Sequence, residues 1–411
     1  MTSSEQVKNY LYGDGIHDDY PAIQELLDSG VSSVVLPEPE KFYIISQTLK
    51  LPSNMSLKLE RFTQIRLADN SNCLMLQNSD YEKGNTNICV DGGIWDMNHA
   101  NQWPNPFHFP NPEGKKWGDY AAEKGFNPKT SKAFSDFYAG VAMRFCRVKN
   151  FIVKNITVKN PVNFGIQAAY AEQFTFENII FDYTEGSPKL WNMDGIHLEG
   201  FCKYGVIRNL QGACHDDLVA ITADDGLVGP IESILVDGIY AENNCHSAVR
   251  LLSNKSLIKN VRITNVFGSF YAYCVGITNY SQGQSPENTG FYENIVIDNV
   301  FASVSQGTVD VMAGNFSPIH IDYNLKIRNL RISGLYRDEK NFAVPTIHID
   351  QNTNIRQLIL SDVRQTNTTG KPMPLINNNG MVERLILDAV DSGGEEMITG
   401  EGNILNHGKN S

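Results

Sequence analysis

The chain has 411 residues, of which 41% are hydrophobic and 19% charged, and it includes 33 glycines. This length exceeds that of an ordinary compact domain and predicts either two domains or an elongated protein built from repeats. The many glycines favour numerous short elements and therefore the second alternative. The net charge of −12 and the absence of a Lys/Arg cluster argue against nucleic acid as a partner.

The amino terminus shows no basic segment followed by an apolar run, so the sequence as written predicts no signal peptide. No later stretch is apolar over the length that a bilayer requires, which argues against a membrane partner. We therefore expect a cytoplasmic protein as written, and a secreted one if a leader peptide has been removed. The oligomeric state is left open.

Residues 1–50 are predicted to form an N-terminal cap that contains one short helix. Asp18 or Asp19 suits the N-cap position, Pro21 suits the first turn, and Gly30 suits the C-terminal end. The apolar residues Ile23, Leu26 and Leu27 share one helical face. Strand-like segments follow at residues 34–36 and 43–45.

Residues 101–134 are predicted to form a loop insertion, because the pattern of the surrounding chain breaks there. Long loops on a repeat protein often lie over its binding face. The aromatic side chains of this segment either contact a ligand or anchor the loop, and both alternatives stay open. They are Trp103, Phe107, His108, Phe109, Trp117 and Tyr120.

An irregular repeat of the form apolar, polar, Asn, apolar is the most informative feature of the chain. Its central positions recur every 24 to 35 residues, which is about one coil of a solenoid. Within each copy the apolar residues alternate with polar ones, as in a β-strand, and Asn suits the sharp turn because it tolerates the left-handed conformation. The central residues are Asn150, Asn178, Asn209, Asn260, Asn294 and Asn329, with weaker copies at Ser233, Gln357 and Arg384.

This repeat predicts an all-β fold, a single-stranded right-handed parallel β-helix with a short N-terminal capping helix. A sandwich of hairpins would need tight turns between paired strands, and those turn signals are rare. No linker divides the chain, so residues 1–411 are predicted to form one domain. The polar segment at residues 393–411 is predicted to be a loosely held C-terminal tail.

Seven cysteines are dispersed along the chain without CxxC spacing. An odd, scattered set is typical of buried reduced thiols rather than of a disulfide framework. They are Cys73, Cys89, Cys146, Cys202, Cys214, Cys245 and Cys274.

Acidic and imidazole side chains precede the predicted strands of three neighbouring coils. The segments are Asn192-Met193-Asp194-Gly195, His215-Asp216-Asp217 and Cys245-His246-Ser247. Stacking the coils about 4.8 Å apart brings Asp194, Asp216, Asp217 and His246 to one surface. Carboxylates one to two coils apart fall near the gap of about 6.5 to 9.5 Å that an inverting glycosidase needs to hold a water beside the sugar.

Crowded carboxyl groups also provide the difference in pKa that a catalytic acid and base need, because repulsion between like charges opposes ionisation of all of them at once. Asp216 is the predicted acid; Asp194 and Asp217 are predicted to hold and deprotonate the water, and His246 to hydrogen-bond within the cluster. An isolated Asp pair is more often ordinary turn chemistry. The pairs Asp224-Asp225 and Asp18-Asp19 are assigned to a turn and to the helix cap.

The order Asn-x-Asp-Gly, Asp-Asp before an apolar strand, and then a His-containing strand resembles the motif series of the polygalacturonase-type glycoside hydrolases of family 28. The segments Gly13-Asp14-Gly15-Ile16-His17-Asp18-Asp19 and Leu51-Pro52-Ser53-Asn54 are similar to the start of many pectin-degrading β-helices. The resemblance covers roughly residues 10 to 330. It implies that Asp194, Asp216 and Asp217 are the catalytic aspartates and His246 the supporting histidine.

The chain departs from this family at two places. Cys245 and Ser247 flank the histidine where the family has Gly-His-Gly. The Arg-Ile-Lys triplet that binds the uronate carboxylate in the family is missing, and the corresponding segment is Gly276-Ile277-Thr278. Alternation along the strand predicts that Arg250 faces the cleft with His246, either as a carboxylate ligand or as a salt-bridge partner. The other predicted substrate-binding residues are Asn192, His197, Thr278, Tyr280 and Asp310.

The leading hypothesis is therefore inverting hydrolysis of an O-glycosidic bond in an oligo- or polysaccharide, without a cofactor or a metal site. One alternative is a polysaccharide lyase on the same fold, in which the three aspartates hold Ca²⁺ and Arg250 is the base. Another is a non-catalytic β-helix that binds carbohydrate or serves as a structural component.

Overall fold

The structure is a computed structural model, and it describes residues 11–102, 140–183, 193–279, 288–305 and 316–408. It divides into two compact units, Met1–His197 and Leu198–Ser411, which are described in turn. The prediction of one domain over residues 1–411 stays a prediction. Within the described ranges, no helix has both the length and the apolar character needed to cross a membrane.

The described residues of the first unit include one α-helix, one 3₁₀ helix and short strands. The α-helix α1 is Tyr20–Asp28, and the 3₁₀ helix is His99–Asn101. The strands are β1 (Ser33–Val35), β2 (Tyr43–Ile45), β3 (Leu49–Leu51), β4 (Met55–Lys58), β5 (Gln64–Leu67), β6 (Leu76–Asn78), β7 (Asn85–Asp91), β8 (Ile94–Asp96), β9 (Met143–Cys146), β10 (Val148–Lys154), β11 (Thr157–Lys159), β12 (Ile166–Ala169) and β13 (Glu172–Asp182).

These strands form three parallel stacks, in which each strand pairs with its equivalent one coil later. The first stack is β1, β4, β7, β10 and β13; the second is β2, β5, β8, β11 and β13; the third is β3, β6, β9 and β12. Among the strands that the structure describes in this unit, each pairing is parallel and joins successive coils, which is the arrangement of a β-helix.

The second unit has longer strands that alternate with short ones. Strand β14 (Ile196–Leu198) spans the boundary between the units. The others are β15 (Lys203–Ala213), β16 (Asp217–Thr222), β17 (Ile231–Cys245), β18 (Ser247–Leu252), β19 (Leu257–Phe270), β20 (Val275–Thr278), β21 (Gly290–Val304), β22 (Ile319–Ile321), β23 (Leu325–Glu339), β24 (Ile347–Ile349), β25 (Asn354–Asn367), β26 (Ile376–Asn378), β27 (Met381–Asp391), β28 (Ile398–Thr399) and β29 (Asn403–Gly408).

The long and the short strands of the second unit form two parallel stacks. The odd-numbered strands from β15 to β29 pair in sequence, and the even-numbered strands from β16 to β28 do the same. The predicted fold class, a right-handed parallel β-helix with a short N-terminal helix, is confirmed.

Asparagines bend the long strands as the repeat predicts. Asn260 and Asn294 have φ of 56°, in the left-handed region that Asn tolerates better than most residues. Their side chains also hydrogen-bond across coils: Asn294 Nδ2 donates to Asn260 Oδ1 at 2.9 Å, and Asn329 Nδ2 donates to Asn294 Oδ1 at 2.8 Å. One residue type therefore both sets the turn and aligns neighbouring coils.

Alternation along the strands fills the core. In β19, Ile258, Val261, Ile263 and Val266 are at most 1% exposed, whereas Lys259 and Arg262 between them point outward. Each fully buried side chain of this size stabilises the fold by roughly 1.5 to 3 kcal/mol relative to an exposed one.

The ends of the chain agree only in part with the sequence predictions. Helix α1 forms, with Asp19 at the N-cap position, but the Asp19 carboxylate accepts hydrogen bonds from Tyr12 N and Gly13 N rather than capping the helix. The predicted loose tail is wrong for residues 393–408, because β28 and β29 pair with the preceding coil. Backbone hydrogen bonds hold this segment despite its polar composition.

The remaining predictions concern the insertion and the cysteines. The predicted insertion lies outside the described residues apart from residues 101–102. All seven cysteines are free, as expected, and five are buried, whereas Cys73 and Cys89 are half-buried.

Candidate active site

Charged residues of the second unit collect at the start of two neighbouring short strands. Asp217 is the first residue of β16 and pairs in register with Ser247, the first residue of β18. Asp216 and His246 each precede these strands by one residue. Asp216 and His246 therefore stand just before a strand, as predicted, whereas Asp217 is already part of one; equivalent residues lie about 4.8 Å apart.

The four side chains of this cluster make direct contacts. His246 Nδ1 lies 3.3 Å from Asp216 Oδ1 and 3.6 Å from Asp217 Oδ1. Arg250 Nε lies 2.8 Å from Asp217 Oδ2, and the Ser247 hydroxyl donates a short hydrogen bond to Asp217 Oδ1. We call Asp216, Asp217, His246 and Arg250 the acidic cluster.

The environment fixes the charges within the acidic cluster. Burial alone would raise the pKa of Asp217, but the Arg250 cation and the His246 hydrogen bond outweigh it, so the pKa of Asp217 is lowered. Burial would lower the pKa of His246, but Asp216 and Asp217 outweigh it, so the pKa of His246 is raised. The cluster therefore favours an ionised Asp217 beside a His246 that holds its proton.

Exposure distinguishes the members of the acidic cluster. The Asp217 side chain is fully buried, whereas 12% of the Asp216 side chain and 14% of the Arg250 side chain are exposed. Of the two carboxyl groups, Asp216 is the one that a ligand reaches from solvent.

Two tyrosines that the sequence analysis did not single out support the histidine. The rings of Tyr271 and Tyr273 lie edge-on to His246, with centroids 5.2 and 5.7 Å away. The Tyr271 hydroxyl donates to the backbone oxygen of His215 at 3.0 Å, next to Asp216. Burial raises the pKa of both tyrosines, so their hydroxyls stay protonated. The only sequence signal was the Tyr-Ala-Tyr segment one coil after His246.

Asp194 and His197 lie in the first unit and contact each other. His197 Nδ1 is 2.6 Å from Asp194 Oδ2, and both side chains are 2% exposed. The His197 ring stacks on Phe164 with centroids 4.0 Å apart. His197 was predicted to bind substrate, and this assignment stays a prediction; in the structure its ring nitrogen contacts the Asp194 carboxylate. The predicted grouping of Asp194 with the acidic cluster stays a prediction.

The other predicted substrate-binding residues have different outcomes. Thr278 is 6% exposed and its hydroxyl donates to the Leu251 backbone oxygen at 3.0 Å, and its predicted contact with substrate stays a prediction. Arg250 belongs to the acidic cluster and forms an ion pair with Asp217, the salt-bridge alternative that the sequence left open. Asn192, Tyr280 and Asp310 lie outside the described residues.

The Asp224-Asp225 pair has the structural role predicted for it. It lies in a turn, where the Asp224 carboxylate accepts hydrogen bonds from the backbone of Asn254, Lys255 and Ser256. Asp225 is exposed.

A surface cavity of about 450 Å³ in the second unit is lined by residues such as Phe301 and Tyr336, and it includes no member of the acidic cluster.

The acidic cluster is able to transfer protons and to attract a cation. One oxygen each of Asp216 and Asp217 and a ring nitrogen of His246 lie within 4.8 Å of one another. Such donors bind divalent metals. The neighbouring Arg250 and the raised pKa of His246 oppose this, because a cation repels the guanidinium and a protonated imidazole is no ligand.

Comparison with known proteins gives one family and several structural neighbours. Residues 108–304 match the family described as glycosyl hydrolases family 28, and this range contains Asp194 and the whole acidic cluster. The chain is similar to a hyperthermoactive exopolygalacturonase from Thermotoga maritima, with a TM-score of 0.55 and 15% identity over 94% of this chain and 95% of that one.

Two further structures are similar over most of the chain. One is a family 28 exopolygalacturonase from Yersinia enterocolitica, with a TM-score of 0.52 and 13% identity over 98% of this chain and 78% of that one. The other is PfbA, a surface adhesin of Streptococcus pneumoniae, with a TM-score of 0.50 and 15% identity over 98% and 90% of the two chains. At these identities the likeness shows the fold alone, which enzymes and an adhesin share.

Proposed function

We propose that this chain, whose residues 108–304 carry the sequence of the family 28 glycosyl hydrolases, hydrolyses an O-glycosidic bond in an oligo- or polysaccharide. The observation that carries the proposal is the acidic cluster, in which two carboxyl groups of different exposure share one histidine. Glycoside hydrolysis needs such a pair, because one group gives a proton while another remains a carboxylate.

In this proposal Asp216 is the general acid that protonates the leaving-group oxygen. It is the carboxyl group of the cluster that solvent reaches, and the leaving oxygen needs a donor at the surface. His246 Nδ1 lies 3.3 Å from Asp216 Oδ1, and this contact holds the Asp216 side chain in place. A positioned general acid contributes typically about 10² to 10⁴ in rate.

Asp217 has the complementary role. Arg250 and His246 keep it ionised, the state that a base or an electrostatic stabiliser of the developing positive charge on the sugar ring requires. Ser247 fixes one of its oxygens. The role of Asp194 as a second carboxylate that holds the water rests on the sequence and on the family resemblance.

Inversion of the anomeric centre is part of the proposal. The nearest oxygens of Asp216 and Asp217 lie within 4.8 Å, less than the gap of about 6.5 to 9.5 Å across which an inverting enzyme holds water. The inverting mechanism therefore depends on the role of Asp194 as a second carboxylate, which is inferred from the sequence. If Asp194 has no such role, the short spacing favours retention instead.

A panel of oligosaccharides, with NMR analysis of the anomeric form of the products, tests both the hydrolysis and the inversion. We expect the wild-type protein to hydrolyse at least one member of the panel with inversion, and Asp216→Asn to lose at least 100-fold in kcat/KM. Asp225→Asn is the matched control, because Asp225 belongs to the second Asp-Asp pair and lies exposed in a turn. Wild-type activity of Asp216→Asn would refute the assignment of the acid.

A lyase is the second candidate, because the cluster brings three donors together at a spacing that a cation fits. A lyase forms an unsaturated product that absorbs in the ultraviolet, and its activity falls in chelator when Ca²⁺ is required. We expect saturated products and no loss of activity in excess EDTA. Ultraviolet-absorbing products together with loss of activity in EDTA would favour the lyase over hydrolysis.

A further inference from the structure

A row of outward-facing residues continues from Arg250 along the short strands of the second unit. In register, Arg250 pairs with Gly276, Gly276 with His320, His320 with His348, and His348 with Asn377. Coil spacing places His320 about 10 Å and His348 about 14 Å beyond Arg250. We call His320, His348 and Asn377 the imidazole row.

The position next to Arg250 is closed to a long side chain. A Cβ at Gly276 would lie 2.5 Å from Cε2 of the Tyr273 ring, so the tyrosine occupies the space where a side chain would emerge. This ring also lies 6.0 Å from His320, nearly parallel to it. The missing cation of the family's Arg-Ile-Lys triplet is therefore replaced by an aromatic ring.

The imidazole row is packed as one continuous surface. The rings of His320 and His348 stack at 12°, with centroids 5.2 Å apart, and Phe316 lies edge-on to His320 at 5.0 Å. Asn377 Nδ2 lies 3.1 Å from His348 Nδ1. Both histidine residues are half-buried, so part of each is accessible to solvent, whereas Nδ1 of His320 is itself buried.

These imidazoles carry no charge at neutral pH. Burial and the neighbouring His348 lower the pKa of His320 to about 3, and burial lowers the pKa of His348. Carboxylates act on the pKa in the opposite direction: Asp350 acts on His320, and Asp350 and Asp322 act on His348. The row thus offers neutral hydrogen-bonding groups with negative charges beside them.

We propose that Tyr273, His320 and His348 form a subsite that binds an uncharged sugar residue beside the acidic cluster and that discriminates against a uronate. This inference rests on the proposed glycoside hydrolase function and names its substrate class.

The chemistry of the row matches a sugar hydroxyl. A neutral imidazole has one donor and one acceptor nitrogen, and a hydroxyl group has a donor and two acceptor sites. A uronate carboxylate needs a cation or several N–H donors when it leaves water. Among the described residues in register with the imidazole row on these short strands, the cation is Arg250, and the buried Asp217 already engages it. Asp322 and Asp350 add repulsion to an anionic ligand.

Paired probes that differ only in charge test the inference. The probes are trigalacturonate and its fully methyl-esterified form, with neutral galactan-, arabinan- and xylan-derived oligosaccharides beside them. Binding is measured by calorimetry with Asp216→Asn, which prevents turnover. We expect at least one uncharged probe to bind, and the methyl ester to bind at least tenfold more tightly than the free acid.

Variants of the row locate the effect. His320→Ala and His348→Ala are expected to weaken binding of the uncharged probe at least fivefold, whereas His407→Ala, which alters an exposed histidine in β29, leaves it unchanged. His320→Lys is expected to shift the preference at least tenfold toward the free acid. Circular dichroism and thermal melts establish that each variant folds.

The outcomes separate this inference from the proposed function. Three results would overturn the subsite. The free acid would bind more tightly than the methyl ester, no uncharged probe would bind, or the folded His320 and His348 variants would respond no more than His407→Ala does. If the wild-type protein hydrolyses a uronate and binds the free acid more tightly than the methyl ester, the subsite is wrong and the proposed hydrolase function stands. Binding of an uncharged probe at the row without any hydrolysis by the wild-type protein would keep the subsite and overturn the hydrolase.

Discussion

Arg250 and Asp217 form an ion pair across neighbouring coils, with Arg250 Nε 2.8 Å from Asp217 Oδ2. The carboxylate is fully buried, whereas the guanidinium side chain is 14% exposed. Since a buried carboxylate without a cation would take up a proton, the packing of β18 on β16 sets the charge of Asp217. The pair thereby links the stacking of the coils to the chemistry of the site.

Arg250→Met is expected to raise the pKa of Asp217, because it removes the cation that lowers it. The acid limb of the pH profile of kcat/KM should move to higher pH, and Arg250→Lys, which keeps the charge, should move it less. A profile of Arg250→Met that overlays the wild-type profile would contradict this role for the pair.

The same substitution is expected to destabilise the protein. Loss of one partner of a buried pair costs roughly 3 kcal/mol at neutral pH. Because the folded pKa of Asp217 is lowered, its contribution is present above the unfolded value of about 3.9 and is lost as the pH falls through the folded pKa. Denaturant unfolding at pH 7 and at pH 3 should therefore show a smaller difference between wild type and Arg250→Met at the lower pH.

His246 is expected to give the opposite pH dependence. Its folded pKa is raised, so its charge stabilises the fold fully below the unfolded value of about 6.5, and this contribution is lost as the pH rises through the folded pKa. Thermal melts of wild type and His246→Gln between pH 5 and pH 9 measure it. The difference in Tm should narrow with rising pH, and a difference that widens would show that another group dominates.

Asp194→Asn tests the assignment that rests on sequence and family resemblance. If Asp194 deprotonates the water, kcat should fall at least 100-fold, while binding of the panel's substrate changes little. His197→Ala should lower kcat less, because it removes only the contact that orients Asp194. Unchanged kcat for Asp194→Asn would exclude Asp194 as the base and would remove the argument for inversion.

Asn294→Ala tests the asparagine bends. The left-handed conformation costs a non-glycine residue roughly 1 to 2 kcal/mol, and the change also removes the hydrogen bonds to Asn260 and Asn329. Asn294→Gly removes the same hydrogen bonds without the conformational cost. Urea unfolding should rank the stabilities as wild type, then Gly, then Ala; equal stabilities for Gly and Ala would contradict the conformational argument.

The sequence alone determined the fold class and the center of the candidate site. Alternating apolar residues set the strands, and Asn at coil-length intervals set the bends, because both effects act within a few residues. Asp216, Asp217 and His246 were found for the same reason: each stands at the start of a short strand, so stacking of coils is enough to bring them together.

The tertiary structure decided which neighbour each of these groups has. The Tyr273 ring over Gly276, the ion pair of Arg250 with Asp217, and the imidazole row depend on the register between coils and on side-chain direction. The repeated Ile-His-Ile-Asp at residues 319–322 and 347–350 was the one visible signal of that row. The polar composition of residues 393–408 wrongly predicted a loose tail. Backbone pairing with the preceding coil holds this segment, and side-chain composition carries no information about that pairing.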